Sequence, residues 1–152
     1  MTYEFTTTRT VEFADTDMAG IMHFSNYFRY MESTEHEFFR SLGLSVHQSS
    51  SAGMIGWARV SAACDYRAPL RYEDVVEIHL LVAEKRSKSI SYIAEFRKAD
   101  NRSTPPLAIG RWTVVYVTKQ GGDSELTSAV IPDDVNALLQ VAPSELIPAK
   151  GQ

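Results

Sequence analysis

The chain has 152 residues, enough for one domain with a sizeable core, and its 44% hydrophobic and 22% charged residues are typical of globular proteins. The net charge of −4 disfavours nucleic-acid binding, which requires a basic surface. Because Cys64 is the single cysteine and no run approaches the ~18 apolar residues of a membrane span, we expect a cytoplasmic protein with no disulfide and no membrane partner.

The first part of the chain predicts a strand, a turn and a long helix. Residues 3–13 alternate loosely and carry β-formers, which predicts the strand. After a turn at residues 15–20, residues 27–42 place their apolar side chains on one face at helical spacing, which predicts an amphipathic helix with its stop at Gly43. The serine- and glycine-rich residues 45–56 predict a loop.

From residue 57 onward the hydrophobic period changes to two. Four further strands are predicted at residues 57–66, 75–84, 90–98 and 107–118. The last of them is apolar on both faces, so we expect it to be central in the sheet. Residues 132–140 predict a short helix that begins with proline, and residues 141–152 predict a loose tail.

This element order predicts an α+β fold, in which an antiparallel five-stranded sheet wraps around one long helix and a short C-terminal helix follows. We expect one domain over residues 1–152, with its core at about residues 6–118 and the C-terminal helix and tail in residues 119–152. So thin a domain leaves its sheet edges and far face open, so we expect a homodimer or homotetramer.

The chemistry is expected at the entrance of the long helix. Gly20 permits a tight backbone turn, and the first N–H groups of the helix, at residues 23–26, have no intrahelical partner. Free donors at the positive end of a helix dipole suit a developing negative oxygen. Asp17 lies just upstream, where a carboxylate either attacks a carbonyl or activates water. A turn or capping aspartate is the common alternative for Asp17.

The residues DMAGIMHFSNY at 17–27, followed by Glu32 and Leu42, resemble the signature of hotdog-fold acyl-CoA thioesterases of the 4-hydroxybenzoyl-CoA thioesterase type. The likeness covers residues 6–118 and includes VSAACDYRAPLRYED at 60–74. It implies a hotdog fold and hydrolysis of an acyl-CoA substrate. It also implies that Asp17 is the catalytic carboxylate and that the backbone N–H of Phe24 polarises the thioester carbonyl.

Other residues of this segment have two possible roles. His23 follows Asp17 by six residues and either contacts the substrate as a proton donor or packs the helix start. A hotdog hydratase, by resemblance, places a histidine five residues after its aspartate, and Met22 occupies that position, so a hydratase is disfavoured. We expect three more residues to shape the substrate entrance: Gly20, Asn26 and Tyr27. Tyr27 lies on the apolar face of the helix, so packing is its default role.

Arg86 and Lys88, with Lys85, cluster at the turn between two predicted strands. Arginine and lysine are natural phosphate partners, so Arg86 and Lys88 are candidates for binding the phosphates of coenzyme A. An ordinary solvated hairpin tip is the alternative.

Glu35 projects near the middle of the apolar helix face, where an unpaired carboxylate is costly. It lies roughly 15 Å beyond the helix entrance at ~1.5 Å per residue, so it cannot reach Asp17 within one subunit. We expect its carboxylate to extend to solvent, with the site of a second subunit as the alternative. Glu32, at the edge of the polar face, is expected to contact His36.

Other sites are disfavoured by the spacing of their residues. The Asp15-x-Asp17 start lacks the later ligands of an EF-hand, and the four histidines have no zinc-ligand spacing, so no metal is expected. No phosphate-binding glycine loop and no serine nucleophile elbow occur, and no cofactor is expected.

We therefore expect an acyl-CoA thioester hydrolase in which Asp17 is either the nucleophile or the general base. Two alternatives stay open. One is a module that binds acyl-CoA or an acyl carrier without hydrolysis, and the other is an acyl carrier protein thioesterase.

Overall fold

The computed structural model describes residues 2–51, 53–122 and 124–150. Two helices, α1 (Phe24–Ser41) and α2 (Asp133–Leu138), accompany seven strands. The strands are β1 (Glu4–Thr10), β2 (His47–Ser50), β3 (Gly53–Tyr66), β4 (Val75–Lys85), β5 (Ser89–Lys98), β6 (Ala108–Gln120) and β7 (Thr127–Ser128). Neither helix of the described ranges combines the length and apolarity needed to cross a membrane.

The strands form one antiparallel sheet in the order β1-β4-β5-β6-β3-β2, with β7 paired to β6. The α+β prediction is confirmed, because the five predicted strands correspond to β1, β3, β4, β5 and β6. β6 lies between two long strands, as its two apolar faces predicted. β2 pairs only with Gly53–Gly56 of β3, so the same edge of β3 has no strand partner at residues 57–66 within the described chain.

The loop prediction for residues 45–56 is wrong in part. β2 and the start of β3 form an antiparallel pair from His47↔Gly56 to Ser50↔Gly53, and residue 52 lies outside the described residues. All four residues of β2 are exposed. A polar, exposed strand shows no apolar alternation in the sequence, because its backbone pairing and not its side chains fixes it.

The core lies between α1 and the inner face of the sheet. The inward residues of β4 are fully buried: Val76, Ile78, Leu80 and Val82. Met31 of α1 packs directly onto Gly110 of β6, where a built Cβ would lie 1.9 Å from the Met31 sulfur. Gly110 therefore allows the helix to approach the sheet closely.

The predicted helix stop at Gly43 is confirmed. Gly43 has φ +73°, and its N–H donates to the Arg40 carbonyl at 3.0 Å. The N–H of Leu44 donates to the Phe39 carbonyl at 2.9 Å, which completes a Schellman motif.

The prediction of a loose tail at residues 141–152 is wrong for its described part, and residues 151 and 152 lie outside the described residues. The Ala142 N–H donates to the Val82 carbonyl at 2.8 Å, and Ala142 is 4% exposed. Arg111 donates through Nη2 to the Pro148 carbonyl at 3.0 Å. Backbone pairing and one arginine thus fix a segment that has no hydrophobic period to reveal it.

Candidate active site

Asp15 fixes the turn that precedes α1. Its Oδ2 accepts hydrogen bonds from the Tyr30 hydroxyl at 2.7 Å and from the Glu12 N–H at 3.0 Å. Its carbonyl accepts from the His23 N–H and from Asn26 Nδ2, both at 2.8 Å. The turn and the first two turns of the helix are therefore held together through one residue.

Asp17 lies in the next turn. Its N–H donates to the Ile21 carbonyl and its carbonyl accepts from the Gly20 N–H, both at 3.0 Å. Gly20 has φ +77°, a left-handed conformation that suits glycine. Asp17 Oδ1 accepts from the Ala19 N–H at 2.8 Å, while Oδ2 receives no hydrogen bond from the described residues. Asp17 thus closes a turn with one carboxylate oxygen and keeps the other available.

Asp17 borders a cleft of about 400 Å³, here called the Asp17 cleft. Its lining residues are Asp17, Ile21, Met22, Phe24, Tyr27, Tyr66, Arg67, Ala68 and Pro69. Tyr27 is 3% exposed and contacts the rings of Tyr66 and Phe96, at centroid distances of 5.0 and 5.4 Å. Burial raises the pKa of Tyr27 to about 12, so its hydroxyl stays protonated at neutral pH. The cleft is a mostly apolar site with one carboxylate at its border.

Phe24 is the first residue of α1, and its backbone N–H has no hydrogen-bond partner among the described residues. The next N–H, that of Ser25, donates to the capping side chain of His23 at 3.3 Å. The Asn26 N–H donates to the His23 carbonyl at 3.0 Å. The cap therefore leaves the Phe24 N–H free at the positive end of the helix, in a residue that lines the Asp17 cleft.

His23 serves as the helix cap. Its Nδ1 lies 2.7 Å from Ser25 Oγ, and its ring stacks on Phe24 at a centroid distance of 4.4 Å. This arrangement is the helix-start packing that the sequence left as one alternative. A catalytic contribution of His23 stays a prediction.

The sequence predicted no role for two cleft residues that carry polar groups. Tyr66, at the end of β3, donates its hydroxyl proton to the Phe24 carbonyl at 2.9 Å. Arg67 follows it and lines the same cleft with an exposed side chain. Both lie in the stretch 60–74 that carries the family resemblance, but nothing local in that stretch indicates that it reaches the helix entrance, 42 residues earlier in the chain.

Arg86 and Lys88 lie at the β4–β5 turn, away from the Asp17 cleft of the same chain. Phe96, which contacts Tyr27, is seven strand residues from Ser89, or about 23 Å at ~3.3 Å per residue. Arg86 Nε donates to Glu84 at 2.9 Å. One chain therefore does not bring the two cations to Asp17, and their role stays a prediction.

Lys85, expected in the same cluster, is engaged elsewhere. Its Nζ donates to the carbonyls of Asn136 at 2.9 Å and Leu139 at 2.6 Å. A lysine at these carbonyls stabilises the C-terminal end of α2.

The expectation that Glu35 reaches solvent is wrong. Glu35 is 2% exposed, and its Oε2 accepts from Arg59 Nη2 at 2.6 Å and from Trp112 Nε1 at 2.5 Å. Burial raises the pKa of Glu35, while the positive charge of Arg59 opposes the shift. Arg59 also donates to Glu32 at 3.2 Å, where the sequence suggested His36 as the partner.

The chain is similar in sequence to proteins of one family. A model of the thioesterase-like superfamily matches residues 11–139. A putative esterase from Aquifex aeolicus (strain VF5) is 43% identical over 76 residues, which are 50% of this chain and 59% of that protein, so the match spans less than two thirds of this relative. The 4-hydroxybenzoyl-CoA thioesterase from Pseudomonas sp. (strain CBS-3) is 30% identical over 107 residues, 69% of this chain and 73% of that one.

A solved structure has the same fold over nearly the whole chain. A gentisyl-coenzyme A thioesterase superposes with a TM-score of 0.69 at 26% identity, covering 89% of this chain and 98% of that chain. This similarity confirms the hotdog fold, and the family match confirms the expected enzyme class, the thioesterases. The matched residues include every residue of the Asp17 cleft. The chain belongs to the thioesterase-like superfamily.

Proposed function

We propose that this protein hydrolyses an acyl-CoA thioester to a free carboxylic acid and coenzyme A, with Asp17 as the reacting carboxylate. One observation carries the proposal. Asp17, with Oδ2 unbonded in the described chain, and Phe24, with a free backbone N–H, border the same cleft in a member of a thioesterase family.

The proposed reaction begins with the thioester carbonyl oxygen at the Phe24 N–H. Negative charge that develops on this oxygen is stabilised by the N–H and by the helix dipole. Asp17 then attacks the carbonyl carbon and expels the CoA thiolate, leaving a mixed anhydride that water hydrolyses, or it removes a proton from a water that attacks the same carbon. Both routes consume one water and release the acid and the thiol.

The remaining predicted residues have supporting roles in this proposal. Gly20 gives the Asp17 turn its conformation, and Asn26 ties the helix to the Asp15 carbonyl. Tyr27 forms a buried wall of the cleft. His23 orients the helix start as its cap and is retained as a candidate contact of the substrate.

For the acyl group we propose an aromatic ring. Three relatives are named for CoA thioesters of 4-hydroxybenzoate, 1,4-dihydroxy-2-naphthoate and gentisate, which are all aromatic acids. The Asp17 cleft has aromatic walls in Phe24, Tyr27 and Tyr66. Aromatic rings favour edge-to-face or offset contacts with one another, which an aliphatic chain does not make.

Assembly into a homodimer or homotetramer remains part of the proposal. The edge of β3 at residues 57–66 has unpaired backbone groups in the described chain, and such an edge is suited to pairing with another strand. A second subunit is also the means by which Arg86 and Lys88 would come to the phosphates of a CoA bound at Asp17. A cytoplasmic location and the lack of a cofactor are likewise predictions.

The test is hydrolysis of a panel of aromatic and aliphatic acyl-CoAs, followed with a thiol-trapping reagent. We expect turnover by the wild-type protein and a loss of at least ~10²-fold in kcat for Asp17→Asn, the scale seen when one oxyanion donor is lost. Asp100→Asn, on an exposed turn, is the matched control and is expected to keep wild-type rates.

Three outcomes would contradict or redirect the proposal. Full activity of Asp17→Asn would remove the role of that carboxylate. Tight acyl-CoA binding without thiol release would identify a binding module, and faster cleavage of acyl groups on an acyl carrier protein would identify a carrier-protein thioesterase.

A further inference from the structure

We propose that Tyr66 is a positioning residue, which holds the first turn of α1 so that the Phe24 N–H points into the Asp17 cleft. This inference rests on the proposed function of the cleft. In this inference Tyr66 does not contact the reacting atoms. It holds the Phe24 backbone, whose N–H contacts them.

The geometry begins with the end of β3. Tyr66 pairs with Ala108 of β6, which fixes its backbone in the sheet. Its ring lies edge-on to the buried Tyr27, at a centroid distance of 5.0 Å and an interplanar angle of 80°. From this fixed ring the hydroxyl donates to the Phe24 carbonyl at 2.9 Å. A single side chain therefore connects the sheet to the residue whose N–H is free.

Phe24 has few other anchors. Its side chain is 62% exposed and stacks on His23, which belongs to the same helix start. On the side away from the sheet, the helix start is held through neighbours of Phe24. The His23 N–H and the Asn26 side chain both donate to the Asp15 carbonyl. From the sheet side, Phe24 itself receives a side-chain hydrogen bond from Tyr66 among the described residues.

The hydroxyl remains a donor over the working pH range. Burial, together with the neighbouring Cys64, raises the pKa of Tyr66 to about 12. An oxyanion donor acts within a narrow range of distances, ~2.7–3.1 Å, and a misplacement of ~1 Å can cost about 10²-fold in rate. Loosening Phe24 at its carbonyl therefore shifts the N–H of the same residue, and this reduces the rate of the chemical step more than the binding of substrate.

The test compares Tyr66→Phe, which keeps the ring, with Tyr66→Ala, which removes it. For Tyr66→Phe we expect kcat to fall about tenfold, which is ~1.4 kcal/mol in activation free energy, because the hydrogen bond to Phe24 is lost. We expect KM to stay within about twofold, because the wall of the cleft is kept. Tyr66→Ala is expected to change both constants. Tyr72→Phe, which removes an exposed tyrosine hydroxyl from the connection between β3 and β4, is the control and should match the wild type.

A second readout reports the position of the donor directly. The 13C NMR shift of the thioester carbonyl of labelled 4-hydroxybenzoyl-CoA, bound to Asp17→Asn, measures how strongly the carbonyl is polarised. We expect that adding Tyr66→Phe moves this shift toward the value of free substrate, whereas a residue that only fills space would leave it unchanged.

The outcomes separate this inference from the proposed function. Wild-type hydrolysis together with an unchanged kcat and carbonyl shift in Tyr66→Phe would overturn the inference and leave the function intact. Equal loss in Tyr66→Phe and Tyr66→Ala with a raised KM would also overturn it, because substrate contact would then be the role. Absence of hydrolysis by the wild type would overturn both.

Discussion

Glu35 shows how one buried charge is accommodated in this core. Its carboxylate, 2% exposed, accepts hydrogen bonds from Arg59 of β3 and from Trp112 of β6. The ring of Tyr92 lies 5.3 Å from that of Trp112, and its buried hydroxyl has no hydrogen-bond partner among the described residues. The Glu35 carboxylate depends on Arg59 for a charged partner, because the surrounding side chains are largely aromatic.

Removing that arginine is expected to destabilise the fold. Arg59→Met should lower the free energy of unfolding by about 3 kcal/mol at neutral pH, because it leaves the Glu35 charge buried and uncompensated. The measurement is denaturant unfolding followed by tryptophan fluorescence. The matched control is Arg86→Met, which breaks the exposed Arg86–Glu84 pair and should cost at most ~0.5 kcal/mol.

The double variant distinguishes the pair from simple loss of arginine contacts. If the cost arises from the uncompensated carboxylate, adding Glu35→Gln to Arg59→Met should recover part of it. Equal destabilisation of the single and double variants would contradict this account of Glu35.

Helices and strands were predicted correctly where the spacing of their apolar side chains reflects burial against the core. The alternating apolar residues of β4 and the helical period of α1 predicted both elements, because each lies on the core and its own residues carry the pattern. β2 is held by backbone pairing with the start of β3, and the tail by backbone hydrogen bonds such as that from Ala142 to Val82 of β4. The side chains of neither segment form a regular apolar pattern.

The outer face of the sheet carries a pH-sensitive link between elements. His79 of β4 contacts Glu4 of β1 at 2.8 Å and faces Glu95 of β5 at 3.9 Å. The carboxylates of Glu95 and Glu4 raise the pKa of His79 above its usual 6.5, against the effect of burial. The pKa of Glu95 is lowered, although burial opposes this, through His79 and Arg97.

The sign of each shift fixes its pH window. The stabilisation from His79 is fully present below its unfolded pKa of ~6.5 and is lost as pH rises through the higher folded pKa. The stabilisation from Glu95 is present above ~4.3 and is lost as pH falls. We expect His79→Gln to destabilise the protein at pH 5.5 and to have little effect at pH 9, as measured by urea unfolding. An effect of equal size at both values would show that the charge is not involved.

Over the whole molecule, the sequence predicted the site through one contiguous segment. Asp17 and Phe24 are seven residues apart, so the motif that contains them also places them near each other. Tyr66 and Arg67 were not predicted as site residues, because they reach the cleft only after β3 has been added to the sheet beside β6. Glu35 is a similar case, since its partners lie 24 and 77 residues away. Contacts of such separation leave no local pattern.

The proposal of a homodimer or homotetramer makes a prediction for the whole molecule. A mass measurement in solution, by light scattering, is expected to give two or four copies. The central claim, that a thioester lies between Asp17 and the Phe24 N–H, is independent of that number.

A crystal structure of Asp17→Asn with 4-hydroxybenzoyl-CoA bound tests this claim most directly. The proposal predicts the thioester carbonyl oxygen ~2.7–3.1 Å from the Phe24 nitrogen and the carbonyl carbon within ~3.5 Å of the residue 17 side chain. A thioester bound outside the Asp17 cleft, or one whose carbonyl points away from Phe24 into solvent, would contradict it.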